Sequence, residues 1–393
     1  MAVNKLDITM MEDVGTSASQ LLQRDGSGNI PAVDGSQITG VTEFTTSTSD
    51  PAIDTNPSGG VGSLWYNKTG GEMYVCTDAT ADANVWTNVG AGSGNVRPGT
   101  QAMGDTYGYH PARQSSADIE KYSFTSDGNS VDVANLTRVC YYGSGSSSAT
   151  HGFMAGGFAY TDTIDKHQFA TTNNATDHGN LTANGGGGSG THSDTYGFMC
   201  GGAPPTQHNR IERFAFASNT TATDWADLST NNSWMLSCSE ESYGRTMGGS
   251  PTNSRIEKFP FATQTNATNV ATLAMNRSSG AGNNSAEYGY AVGGATGESD
   301  IEKFAFASDG DGGSIGDLSV MNASTGATGV QEVPSNSQTH GYQAGGYYAT
   351  PAWRAHNVIQ KFSTSTDADS TDVGDLVIKG VSGGASCLGG WQV

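Results

Sequence analysis

Eight histidines, His110, His151, His167, His178, His192, His208, His340 and His356, are the side chains here best suited to acid–base work or to holding a metal. A copper centre would need His and Tyr converging on one open site. His151 and His340 instead stand where comparable segments carry Tyr, and His167 lies inside a strand-like run, so these read as structural or solvated residues. Cleavage of an acidic sugar would need a cluster of arginines beside an acid/base pair. The arginines fall mostly at recurring positions and leave too few for such a cluster. No G-x-S-x-G, H-E-x-x-H or phosphate-cradling loop occurs. The acidic turns SDGNSVD from Ser126 and SDGDGG from Ser308 lack the spacing and bidentate glutamate of a calcium loop and read as Asx turns. Five widely spaced cysteines, Cys76, Cys140, Cys200, Cys238 and Cys387, include no C-x-x-C and read as small buried hydrophobes. The expectation is a protein that is not an enzyme, with no catalytic residue, metal or cofactor; a sugar-oxidising or glycan-cleaving activity is a remote alternative.

The charge balance narrows the partners. With 38 acidic and 18 basic residues the formal charge is −20. Nucleic acid is excluded because phosphate binding needs clustered Lys and Arg, and an anionic membrane is disfavoured for the same reason. The start MAVNKLDITMMEDVG lacks the basic and apolar regions of a signal peptide, and no stretch is long and apolar enough to insert in a membrane. Folding in a cytoplasm is therefore expected, with the Asn174 and Asn219 N-x-T triplets unglycosylated.

The sequence repeats. DIEKYSF from Asp118, TIDKHQF from Thr163, RIERFAF from Arg210, RIEKFPF from Arg255, DIEKFAF from Asp300 and VIQKFST from Val358 superimpose, and their isoleucines (Ile119, Ile164, Ile211, Ile256, Ile301, Ile359) step by 45, 47, 45, 45 and 58. Before them come YGYHPA, HGFMAGG, YGFMCGG, YGRTMGG, YGYAVGG and HGYQAGG; after them come short runs ending at Leu136, Leu181, Leu228, Leu273, Leu318 and Leu376. With a Gly/Ser/Ala-rich stretch added, each unit offers four short strands separated by Gly, Asn, Asp and Ser turns. Ile and Phe of I-E-K-F point to opposite faces of a strand, which suits a sheet covered on both sides. The basic position (Lys121, Lys166, Arg213, Lys258, Lys303, Lys361) reads as part of the scaffold.

The order of these markers resembles the kelch repeat, most closely from Arg277 to Val320, and covers about residues 96 to 393. The resemblance implies an all-β fold, a six-bladed kelch-like β-propeller. The first copy departs from it, with Pro111 and Ala112 where the others have Gly-Gly, and Trp225 alone keeps the tryptophan usual in the fourth strand. The tail VIKGVSGGASCLGGWQV is expected to supply an inner strand beside the first blade, with 96–103 as the competing source.

Residues 1–43 hold two weak apolar runs between Asp-Gly turns, similar to the stalk and attachment segments of bacteriophage tail-fibre proteins. Residues 44–95 include GSLWYNKTGGEMYVCTDATADANVWTNVG, a small β-meander that resembles a module of phage virion fibres, with Trp65, Tyr74 and Trp86 in matching places. Neither segment has apolar residues enough for a core of its own. The resemblance, strongest to marine bacteriophage virion proteins, implies a virion-anchoring segment, a small N-terminal β-module and a distal host-facing propeller at 96–393. It further implies a tail-fibre subunit on the virion exterior that contacts other virion proteins through its N-terminal segment and a host-surface glycan or protein through the propeller. A trimer is the favoured homo-oligomer. A purely structural decoration or spacer is the alternative.

Within a four-stranded blade, the turns from strand two to three and from strand four to the next strand one emerge together. That face collects Tyr141, Tyr142, Trp234, Tyr347, Tyr348, Trp353, Arg354 and His356, the candidate receptor-binding residues. Packing of these aromatics against one another is the competing reading.

Overall fold

The computed structural model describes residues 44–89, 104–113, 116–157, 160–203, 206–251, 253–294, 299–319, 333–348, 354–377 and 390–393. Every regular element among them is a strand, and no helix is long and apolar enough to cross a membrane. The chain divides into two compact units, Met1–Pro98 and Gly99–Val393.

In the first unit, β1 (Phe44–Ser47), β2 (Leu64–Asn67), β3 (Glu72–Asp78) and β4 (Val85–Asn88) form one sheet in that order. The meander β2–β3–β4 follows the sequence pattern, its first turn closed by Gly71 N–H donating to Asn67 O at 2.8 Å. β1, pairing parallel to β2, is an addition that its polar sequence FTTS did not announce. Tyr74 and Cys76 alternate onto one face, where they pack with Trp86 and Trp65.

Among the described residues the second unit forms six four-stranded sheets. β5 (Tyr107–Arg113), β6 (Ser116–Ser123) and β7 (Val131–Asn135) belong to the first; β8 (Ser144–Ser147), β9 (His151–Ala155), β10 (Thr161–Gln168) and β11 (Thr176–Gly185) to the second. The third comprises β12 (Ser189–His192), β13 (Tyr196–Gly202), β14 (His208–Ala215) and β15 (Thr223–Asn232), and the fourth β16 (Leu236–Ser239), β17 (Tyr243–Met247), β18 (Asn253–Pro260) and β19 (Thr268–Arg277). The fifth is β20 (Ala281–Asn284), β21 (Tyr288–Val292), β22 (Asp300–Ala305) and β23 (Gly313–Asp317); the sixth is β24 (Val333–Asn336), β25 (His340–Tyr348), β26 (Arg354–Ser363) and β27 (Thr371–Asp375). The first sheet gains its fourth strand from the far end of the sequence: β28 (Trp391–Gln392) pairs antiparallel with β5, Trp391 opposite Tyr109. The rest of the tail, 378–389, and the competing segment 96–103 lie outside the described residues.

Strands β8, β12, β16, β20, β24 and β28 lie side by side in sequence, with β28 against β8. They are rich in Gly, Ser and Asn because they crowd: a Cβ on Gly190 would stand 2.1 Å from Gly145 O, and one on Gly282 2.0 Å from Ser237 O. The result is an all-β, propeller-like stack of twisted sheets.

Each IEKF strand is covered on both faces, as its alternation predicts. Ile164 shares a core cluster with Phe214 of the next sheet, Ile211 with Phe259, Ile256 with Phe304, Ile301 with Phe362, and Ile359 with Tyr122 of the first sheet. At all six third strands the register with the outermost strand shifts between the isoleucine and the acidic or amide residue after it. Beside that irregularity sits a buried side chain, Glu120, Asp165, Glu212, Glu257, Glu302 or Gln360, that reaches back to the preceding sheet. Glu212 accepts from Thr182 N–H (3.2 Å), Glu257 from Ser229 N–H (3.1 Å), Glu302 from Ala274 N–H (2.6 Å) and Glu120 from Val377 N–H (2.9 Å). Asp165 accepts from the Thr137 hydroxyl and Gln360 from the Ser319 hydroxyl. A buried carboxylate is tolerable only with such donors, so the acidic position of the repeat acts as an inter-sheet staple.

The basic position of the repeat is spent within the scaffold. Lys121, Arg213, Lys258 and Lys303 lie 4.3–5.0 Å over Tyr107, Tyr196, Tyr243 and Tyr288 of their own sheets. Lys258 also pairs with Asp309 at 2.7 Å and Lys361 with Asp127 at 2.6 Å. Asp127 and Asp309 belong to the two acidic turns, whose role is therefore to clamp the lysine of the preceding sheet.

Candidate functional site

The connections that lead from an outermost strand into the next inner strand carry a residue two positions before that strand, and its backbone is left-handed in four consecutive cases. These are Tyr142 (φ 62°), Gly187 (66°), Trp234 (58°) and Ser279 (58°). A hydrogen-bond ladder links them: Gly187 N–H donates to Tyr142 O (2.8 Å), Trp234 N–H to Gly187 O (2.7 Å) and Ser279 N–H to Trp234 O (2.8 Å). Residues in different sheets are thereby held in one row at one end of the inner strands. The Trp234 ring reaches back over Gly187, where a Cβ would stand 3.1 Å from it, and meets Tyr142 edge-on, centroids 4.6 Å apart and planes at 81°. Tyr141 meets Tyr142 at 4.7 Å. Tyr141, Tyr142 and Trp234 are half-buried, and burial raises the Tyr142 hydroxyl pKa, with Tyr141 and Tyr160 adding to it. Tyr160, exposed in the β9–β10 connection with φ 56°, joins this group; its exposure and fold position were not singled out from sequence.

The structure thus brings three of the eight sequence candidates together. Tyr347, Tyr348, Arg354 and His356 are placed by backbone on the extended β25–β26 hairpin, Tyr348 opposite Arg354 and Gly346 opposite His356. Trp353 lies outside the described residues. The insertion 320–332, assigned to the same face, also lies outside them.

A small open cavity of about 30 Å³ between the inner strands is lined by Gly145, Gly190, Ser237, Gly282, Asn336 and Gln392, among others. That admits one or two waters and no sugar ring.

His178 Nε2 bonds Ala215 O (2.8 Å), His151 and His340 bond the hydroxyls of Thr150 and Thr339 (2.8 Å each), and His167 stacks on Trp391 at 6.0 Å. Among the described residues no group of three or more His, Cys, Asp or Glu is placed to hold a metal. Cys76, Cys140, Cys200 and Cys238 are free thiols and buried, and burial pushes the pKa of Cys200 and Cys238 up to about 12.

No known protein family matches the chain, and no curated protein does.

Burial, with Arg210 adding to it, holds His208 down from 6.5 to about 4. The folded protein then binds fewer protons than the unfolded chain as pH falls, so the stability His208 lends is full above about pH 6.5 and lost towards pH 4. Burial raises the carboxyls of Asp165 and Glu212, which act in the opposite sense. A His208→Gln comparison isolates the imidazole: urea midpoints at pH 7 and pH 4.5 should lie closer together in the variant than in the parent. An unchanged gap would show that His208 carries none of the acid sensitivity.

Proposed function

We propose that the chain is a bacteriophage virion fibre protein, of tail-fibre type, whose second unit is a closed six-bladed kelch-like propeller that recognises the host surface. Support for the ring comes from the succession of inter-sheet cores that returns from the sixth sheet to the first, and from the pairing of β28 with β5. The observation that carries recognition is the meeting of Tyr141, Tyr142 and Trp234, delivered by two separate connections to one end of a rigid scaffold. Exposed or half-exposed aromatics on a polar, loop-built surface are suited to anchoring a ligand. The N-terminal segment would attach the subunit to other virion proteins on the tail or capsid exterior, in a trimer.

The test is adsorption of the purified full chain to intact candidate host cells. Saturable binding, competed by unlabelled protein, is expected. A well-folded protein that binds none of a panel of candidate hosts yet incorporates into virions would favour the second reading, a structural spacer or decoration. The T-shaped packing of the same rings against one another favours that second reading.

A further inference from the structure

We infer that Tyr142 and Trp234, with Gly187 beneath them, form a stacking site for a neutral pyranose. This rests on the reading of the second unit as a host-surface binder.

The left-handed backbone at these two positions is the first argument. Bulky side chains rarely adopt it, and such outliers persist where the surroundings enforce them, often at binding sites. The ladder itself does not need aromatic rings: Gly187 and Ser279 occupy equivalent places with the same backbone and comparable hydrogen bonds. Glycine would adopt that conformation without strain. Tyr142 and Trp234 therefore spend stability on rings that the fold could do without. Those rings form a cross-loop pair only because the intervening residue is Gly187, whose missing side chain leaves Trp234 its seat.

Charge selects the ligand class. Arg138, on the same connection as Tyr142, is turned into the scaffold: its Nη2 donates to Gly156 O (2.8 Å) and Thr163 O (3.1 Å), and its Nε lies 3.6 Å from Asp165. No other basic residue lies on the connections 136–143, 186–188, 233–235 or 278–280 that carry the ladder. The whole chain, at −20, repels anions. A sialylated or uronate sugar would meet no cation on these segments besides Arg138, which is turned into the scaffold, whereas a neutral ring offers an apolar C–H face to an aromatic.

The experiment uses the full chain on an array of neutral hexose and deoxyhexose oligosaccharides alongside sialylated and uronate ones, with Trp234→Gly and Tyr142→Gly as variants. Binding to neutral probes is expected, weakened about tenfold or more by Trp234→Gly, while each variant still melts cooperatively, the relief of left-handed strain offsetting part of the lost ring packing. Preference for acidic probes overturns the ligand class. Undiminished sugar binding by both variants, or a melt lowered as much as binding is, overturns the site. Host-cell adsorption that survives both variants and periodate oxidation of the cells overturns the saccharide site and leaves host recognition standing. Absence of adsorption to any host by the parent protein overturns both.

Discussion

Replacing Trp391 with alanine should remove about 3–5 kcal/mol of stability from the second unit, although the residue sits far in sequence from everything it touches. In five of the six sheets an aromatic residue of the third strand lies over the glycine opposite it: Tyr122 over Gly108, Phe214 over Gly197, Phe259 over Gly244, Phe304 over Gly289 and Phe362 over Gly341, each so close that a Cβ would fall 2.2–2.6 Å from the ring. The second sheet has His167 at that position, opposite Gly152, and the ring over Gly152 is that of Trp391, 2.1 Å from where a Cβ would be. Trp391 is completely buried, stacks on His167 and donates its indole N–H to Phe153 O at 2.8 Å. Its removal opens a cavity, strips a hydrogen bond and loosens β28 from β5 together. Thermal melts and limited proteolysis should show a lowered midpoint and early cleavage, and a His167→Phe change in the Trp391→Ala background should recover part of the loss by restoring the ring-over-glycine contact of the other sheets. An unaltered melt would mean that β28 contributes nothing to the stability of the unit.

Arg277→Ala should cost a similar amount, about 3–5 kcal/mol, because it breaks a buried ion pair by removing one partner. The guanidinium is fully buried and every nitrogen is used: Nε and Nη2 donate to Glu302 (3.0 and 2.7 Å), Nη2 also to Asp300 (2.7 Å), and Nη1 to the Gly293 and Asp300 carbonyls (2.7 and 3.0 Å). Lysine cannot reproduce this fork, so Arg277→Lys should recover little. Chemical denaturation of the three proteins decides the point; a lysine variant as stable as the parent would show that charge, and not the planar geometry, is what matters here.

Much of this architecture was legible in the sequence. The Ile and Phe positions of I-E-K-F gave the two covered faces, the double glycines marked left-handed turns at Gly156–Gly157 and Gly248–Gly249, and the lysines were assigned to the scaffold. Other features lay beyond single-copy patterns. Acidic residues on a strand ordinarily face water, so nothing in the repeat alone announces that Glu212 or Glu302 is buried and capping the backbone of another sheet; the register shift beside it is a tertiary fact. The compensation of His167 by Trp391 couples two positions with no local relation. The sequence pointed to Tyr141, Tyr142 and Trp234 as surface aromatics, but their convergence depends on Gly187, a residue that reads as an ordinary loop glycine.

The union of Trp391 with Phe153 spans 238 positions along the chain, and that separation governs assembly. During synthesis β5 emerges early and presents a bare edge while five further sheets form behind it. The partner that covers this edge, and fills the gap over Gly152, follows all of them along the chain. Pairing of β28 with β5 should therefore form slowly, and until it does the nascent protein offers an adhesive flank to its neighbours.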